Sequence, residues 1–205
     1  SVELQAGQVR DITGNAAAAG ALGLFSVDTE PPIRRVYLPM VERPGAPDLV
    51  TSISIDPDKR SFAAGEPVAL SVTVTNRGDG PAGAFWVDLY INPSSPPTAA
   101  NQVWNTRCAL SPCFGIAWQV PGGLAPGQSI TISSQNLPAG YSVWPGWFAT
   151  GTSDLYAYAD SFNPGVAAGA VAERDERNNR AELHGLNVTG PNPRLIRPAG
   201  QIRDR

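Results

Sequence analysis

The sequence predicts an all-β protein: an immunoglobulin-like β-sandwich of about seven to eight strands with N- and C-terminal extensions. Glycine and proline are abundant, at 21 and 20 of 205 residues, which favours many turns and few long helices. Short apolar segments alternate with polar residues at a period of two, and turn residues separate them. A succession of such half-buried strands, with no sustained helical period, is typical of a sandwich.

The predicted strands follow one another from residue 49 to residue 188. Trp104 is assigned to a short strand beside the cysteine loop, and the last strand changes phase at His184-Gly185, which predicts a β-bulge. The residues that define the strands are Leu49, Thr51, Ile53 and Ile55; Val68, Leu70, Val72 and Val74; Phe85, Val87, Leu89 and Ile91; Trp104; Ile116, Trp118 and Val120; Ile130 and Ile132; Leu155, Ala157 and Ala159; and Ala181, Leu183, Leu186 and Val188.

Three parts are expected along the chain. Residues 1–46 form an N-terminal arm, residues 47–189 the sandwich, and residues 190–205 a proline- and arginine-rich tail. Within the arm, the alternation of residues 33–41 predicts a strand with Val36, Leu38 and Met40 on one face. Pro39 interrupts this strand, so we expect it at an edge.

Composition argues against two classes of partner. Charged residues make up 16% of the chain and the net charge is −3, so no basic face for nucleic acid is expected. The longest apolar run, residues 16–27, is too short to cross a bilayer as a helix, so we expect no membrane insertion. The chain begins at Ser1 without methionine, as expected of a processed secreted protein or of a trimmed piece.

The chain has two cysteines, Cys108 and Cys113, separated by four residues. Their pairing favours a disulfide that closes a small loop in an oxidising compartment. The alternative is a pair of reduced thiols in a cytosolic loop. A zinc site needs about four ligands, which this loop does not supply.

Several blocks of sequence, in order, resemble the CARDB family, the cell-adhesion-related domains of bacterial and archaeal surface proteins. The resemblance spans roughly residues 47–188, and residues 92–118 depart from it as a long insertion that carries the cysteines. It implies an extracellular immunoglobulin-like sandwich with a structural or adhesive role and no shared catalytic residues. The blocks are PDLV at 47–50, AGEPV at 64–68, VTNRG at 74–78, FWVDLY at 85–90, GLAPG at 123–127 and DERNN at 175–179.

The motifs of common enzymes are missing from the sequence. Its one histidine, His184, lies on a predicted strand outside any metalloprotease motif, and there is neither a nucleophile elbow nor a phosphate-binding loop. We therefore expect no catalytic residue and no enzyme.

An acidic stretch offers oxygen ligands of the kind that Ca²⁺ prefers. The candidates are Asp160, Asp175 and Glu176. Arg174 and Arg177 are interleaved with these acids and are expected to neutralise them by pairing. The alternative is a turn that Asn178 and Asn179 stabilise by side-chain hydrogen bonds, with no cofactor bound.

The loop Trp144-Pro145-Gly146-Trp147-Phe148 is too apolar to lie freely in water. It either caps the end of the core, packs in a protein interface, or stacks against glycans through Trp144 and Trp147.

The N-terminal arm suggests which partner this chain binds. A β-competent arm beside an open sandwich edge is what strand addition between subunits requires, and a head-to-tail contact that does not close makes a filament. We therefore expect self-association into a polymer or surface layer, outside the cell. The alternatives are a monomeric adhesion or carbohydrate-binding module, or an accessory domain of a secreted hydrolase.

Overall fold

The computed structural model of the chain describes residues 45–109 and 113–193, and the backbone of residues 3–4 and 20–21. The chain separates into two compact units, Ser1–Glu42 and Arg43–Arg205. In the first unit, strand β1 (Glu3–Leu4) pairs with β2 (Gly20–Ala21) in an antiparallel ribbon. The predicted arm strand with Val36, Leu38 and Met40, and the tail from residue 194, lie outside the described residues.

The second unit is a sandwich of two sheets, which confirms the predicted fold class. The smaller sheet has the strand order β3-β5-β8, and the larger has the order β4-β11-β10-β6-β7-β9. All neighbouring strands are antiparallel except β4 and β11. The strands are β3 (Leu49–Asp56), β4 (Ser61–Ala63), β5 (Ala69–Asn76), β6 (Phe85–Ile91), β7 (Phe114–Val120), β8 (Ser129–Ser133), β9 (Ser142–Val143), β10 (Gly151–Ala159) and β11 (Arg180–Thr189).

The core lies between the two sheets and is built from the apolar residues that alternate along the strands. Because successive side chains point to opposite faces of a strand, each strand contributes every second residue. Residues that are at most 1% exposed include Leu49, Leu70, Val72, Val74, Phe85, Val87, Leu89, Ile116, Leu155 and Leu186.

The bulge predicted in the last strand is confirmed. Ser153 pairs with Leu186 and Leu155 with Leu183, so one residue of β10 faces two of β11, His184 and Gly185. Gly185 takes a φ of 72°, which a residue without a Cβ adopts easily. Its N–H donates to the Asp154 carboxylate at 2.8 Å, which satisfies the group that the bulge frees.

Asn76, at the end of β5, is fully buried, and its side-chain amide bonds to four backbone groups. Its Nδ2 donates to the carbonyls of Gly80 at 2.8 Å and Leu124 at 3.0 Å. Its Oδ1 accepts the N–H groups of Gly78 at 3.0 Å and Asp48 at 3.1 Å. The Asn76 amide therefore fixes the turn at residues 78–80, the turn at Leu124, and the chain at Asp48 that enters β3.

We predict that Asn76→Ala lowers the free energy of unfolding by about 3 kcal/mol, because buried backbone groups lose their partners. Urea denaturation measures this directly. The matched control is Asn187→Ala, on the exposed face of β11, which should change stability by less than about 0.5 kcal/mol. Equal stability of the two variants would contradict this stabilising role of the Asn76 amide.

Candidate functional site

The outer face of the larger sheet is largely buried at β6, β7 and β10, whereas Glu182 on β11 is exposed. Its tyrosines Tyr90, Tyr156 and Tyr158 form a second apolar cluster with Trp104 and Ala117. Trp104 comes from the insertion between β6 and β7, in a short 3-10 helix (Trp104–Thr106). The prediction of a strand at Trp104 is therefore wrong: its apolar side chain is buried because the insertion folds over the sheet.

Polar contacts fasten this insertion to the sheet. Asp88, fully buried on β6, accepts the Trp104 N–H and the Ser161 hydroxyl, both at 2.9 Å. The Tyr90 hydroxyl donates to the Gln102 carbonyl at 2.8 Å. Trp104 Nε1 donates to the Tyr141 carbonyl at 3.2 Å.

The predicted disulfide between Cys108 and Cys113 is confirmed, with the two Cα atoms 5.4 Å apart. It joins the end of the insertion to the start of β7. A cross-link of this kind removes conformations from the unfolded chain and so limits the freedom of the loop.

Gly115, on the outer face of β7, leaves the space that the Trp104 ring occupies, because a Cβ there would overlap ring atoms. We predict that Gly115→Ala displaces the ring and lowers the free energy of unfolding by about 2 kcal/mol. Thermal unfolding, followed by tryptophan fluorescence, measures the loss and the exposure of the indole. Gly83→Ala is the control, since a Cβ at residue 83 meets open space. An unchanged Gly115→Ala variant would refute this packing.

The tryptophan loop reaches the end of the core. Trp144 is 9% exposed and Phe148 is 1% exposed, with ring centroids 5.2 Å apart. Trp147 is half-buried. Trp144 also lines an open groove of about 540 Å³, and Trp147 does not. Other groove residues are Asp56, Pro57, Gln135, Leu137 and Pro145.

The acidic stretch is divided by the fold. Asp160 and Glu176 line one cavity, whereas Asp175 does not and instead binds Arg177 Nε at 2.9 Å. Arg174 bonds to Asp79 at 2.6 Å, so it does not neutralise the acids as expected from the sequence. In the described part of the chain, no three carboxylate, histidine or cysteine side chains converge to hold a metal ion.

Asp160 is itself buried, with its backbone at a φ of 53°. Its two carboxylate oxygens accept the N–H groups of Ala170 and Val171, each at 2.8 Å. Burial raises the pKa of Asp160, and the Glu176 carboxylate adds to that rise, whereas the two hydrogen bonds lower it.

The sequence does not single out Glu173 among the acids of this stretch. Its carboxylate accepts the Leu49 N–H and, at 2.6 Å, an N–H of the Asn179 amide. Burial raises the pKa of Glu173 to about 8, and the carboxylates of Glu176 and Asp160 add to the rise. Nothing in the local sequence distinguishes Glu173 from Asp175 and Glu176, which are half-buried as well, since its contact with Leu49 joins residues 124 positions apart.

His184 lies exposed at the bulge and is not part of this cavity. Its ring nitrogens lie 3.5 Å from Asp154 and 3.4 Å from Glu182, and its ring meets Tyr156 edge to face.

Strand β8 forms one edge of the smaller sheet. The Asn76 N–H donates to the Gln128 carbonyl at 2.9 Å, and the Ser134 N–H to the Leu70 carbonyl at 2.8 Å. Hydrogen-bonded pairs alternate with non-bonded pairs in an antiparallel ladder. The backbone groups of Ser129 and Thr131 therefore point away from β5, along the outer edge.

The described part of the chain contains no helix with the length and apolar character of a membrane span. In comparison with known proteins, the family model of CARDB matches residues 46–183, more than half of the chain.

Solved structures and one further relative are similar to parts of the chain. The CARDB domain of a Pyrococcus furiosus protein, solved in complex with di-metal ions, is 19% identical with a TM-score of 0.46, over 71% of this chain and 96% of that one. A β-glucosidase of Listeria innocua is 14% identical with a TM-score of 0.36, over 72% of this chain and 17% of that one. Probable β-glucosidase I of Aspergillus clavatus is 49% identical over 81 residues, which is 40% of this chain and 8% of that protein. The chain thus spans a small part of each glucosidase.

Proposed function

The chain belongs to the CARDB family, a type of non-catalytic domain associated with bacterial cell surfaces, and we propose that it is a structural subunit that polymerises outside the cell by strand addition. In this proposal, an arm strand of one copy pairs with the β8 edge of the next.

The observation that carries this proposal is the open edge of β8. Its residues are exposed or half-buried, and the backbone groups of Ser129 and Thr131 meet no other described backbone group. Proteins commonly protect such edges with charges, proline or very short strands. Strand β8 has neither charge nor proline, whereas the larger sheet ends in β4 and β9, of three and two residues.

The side chains of β8 also suit an edge strand to which another strand can be added. Ile130 and Ile132 pack against the core, so the strand keeps a fixed register on β5. Thr131 Oγ1 and Thr73 Oγ1 share a hydrogen bond of 2.8 Å on the outer face, as do Thr75 Oγ1 and Ser129 Oγ at the same distance. These contacts hold β8 on β5 before any partner arrives, which reduces the ordering that binding requires.

The donor strand in this proposal is residues 33–41 of another copy. Its alternating Val36, Leu38 and Met40 provide one apolar face for the added strand. A contact between an arm and a different surface of the next copy is heterologous. Such contacts extend into a filament unless the rotation closes a ring.

We predict that Thr131→Pro abolishes assembly, since it removes the outward N–H without breaking a bond to β5. Thr131→Ala is the matched control, because it keeps that N–H and loses the same hydroxyl. Light scattering after gel filtration and negative-stain electron microscopy compare the two, and circular dichroism verifies folding. Deletion of residues 1–41 should also leave monomers. A monomeric wild-type chain, or a Thr131→Pro variant that assembles like Thr131→Ala, would refute the proposal.

The groove beside Trp144 supports a second candidate function, a glycan-binding module of the kind attached to secreted hydrolases. Carboxylate and amide groups beside apolar rings are suited to sugars, and the groove combines Asp56 and Gln135 with Pro57 and Pro145.

This second candidate predicts binding to β-glucan fragments on a glycan array and by calorimetry. Gln135→Ala should weaken binding about tenfold through one lost hydrogen bond. Asn136→Ala, next to the groove but outside its lining, should leave affinity unchanged. Absence of binding on the array would exclude this function and leave the first untouched.

A further inference from the structure

A polar cavity lies on the outer face of the larger sheet, away from the β8 edge. It has a volume of about 90 Å³, enough for a cation and a few water molecules. Loop residues 98–100 and 167–168 form part of its lining. The lining residues whose side chains carry oxygen atoms are Thr98, Tyr158, Asp160, Glu176 and Asn179.

Asn179 carries the strongest indication of a ligand. It is only 2% exposed, and its Oδ1 has no hydrogen-bond partner among the described residues. The other end of the amide is committed, since Nδ2 donates to Glu173 Oε1 at 2.6 Å. Buried acceptors are almost always paired with a donor, a water or an ion. This oxygen is therefore available to a donor or a cation that enters the cavity.

The charge of the cavity points in the same direction. Asp160 and Glu176 line it with two carboxyl groups. The nearby arginines are bound elsewhere: Arg174 to Asp79, Arg177 to Asp175, and Arg180 to the Pro97 carbonyl and Glu182. In the part of the chain that the structure describes, no salt bridge neutralises Asp160 or Glu176.

The backbone holds the acids in place before any ligand arrives. Asp160 is fixed by the N–H groups of Ala170 and Val171, and Gly169 packs so closely on it that a Cβ would overlap the carboxylate. Glu176 Oε1 accepts the Glu173 N–H at 2.9 Å, which leaves Oε2 for a ligand.

We propose that this cavity binds a hard divalent cation, Ca²⁺, through oxygen atoms of Asp160, Glu176 and Asn179. Two carboxylates match the charge of the ion, and amide, phenol and water oxygens complete the six to eight ligands that Ca²⁺ takes. The neutral oxygens are essential, since the acids alone form no metal cluster. Asp175, which the sequence grouped with them, has no part in the site. The site is independent of the proposed assembly.

The test uses the full chain and Ca²⁺ itself, by calorimetry and thermal unfolding. A Kd of about 0.1–1 mM is expected, as in extracellular modules, and 10 mM Ca²⁺ should raise Tm by about 5 °C. Glu176→Gln keeps the oxygen that accepts the Glu173 N–H and removes the charge, so Kd should rise at least about tenfold. Asp175→Asn makes the same exchange on the adjacent acid, outside the cavity, and should change Kd less than about twofold.

A second variant guards against misfolding of the first. Tb³⁺ replaces Ca²⁺ and emits when a nearby phenol transfers energy to it, so Tyr158→Phe should lower the emission while Ca²⁺ still competes. The proposal is overturned if the wild-type chain shows no heat and no Tm shift at 10 mM Ca²⁺. It is overturned equally if Glu176→Gln and Asp175→Asn bind Ca²⁺ alike.

Discussion

The arrangement of this domain depends on Asp88, a carboxyl group buried on the face of the larger sheet opposite the core. Asp88 lies on the face of β6 that points away from the core, and it is fully buried there. A carboxyl group in that position requires hydrogen bonds, because burial of an unpartnered polar group is unfavourable. The Trp104 N–H and the Ser161 hydroxyl are among its partners, and they come from the insertion and from the chain just after β10. One acid thus attaches a second layer to the sheet and positions the turn that begins at Asp160.

The second layer explains why the two sheets differ in character. The larger sheet is covered on both faces along β6 and β10, and its edge strands β4 and β9 are very short. The smaller sheet has hydroxyl groups on its outer face and an uncharged edge at β8. In the proposed assembly, the surface for association therefore lies on the smaller sheet.

The sequence predicts the strands and the bulge, which depend on local periodicity. It does not predict contacts between residues that are far apart along the chain. Strands β3, β5 and β6 follow from alternation alone, and the bulge follows from the phase change at Gly185. The prediction of a strand at Trp104 is wrong because an apolar residue gives the same sequence signal in a strand as in a loop that covers a sheet. Strands β4 and β9 are too short to show a period. Glu173 and Asn179 gain their roles from contacts with β3, which no local pattern contains.

The arrangement of β3 and β11 has a mechanical consequence. The Thr51 hydroxyl donates to the Asn179 carbonyl, so both strands begin at the same pole of the sandwich, and β11 then carries the chain to the opposite pole beside β4. Tension between the two ends of the domain acts parallel to the strands. It must shear all eight residue pairs of β3 and β5 together, because ladder bonds run across the strands and do not open one by one under that pull. A chain of such domains would transmit force along its length while each sandwich stays closed.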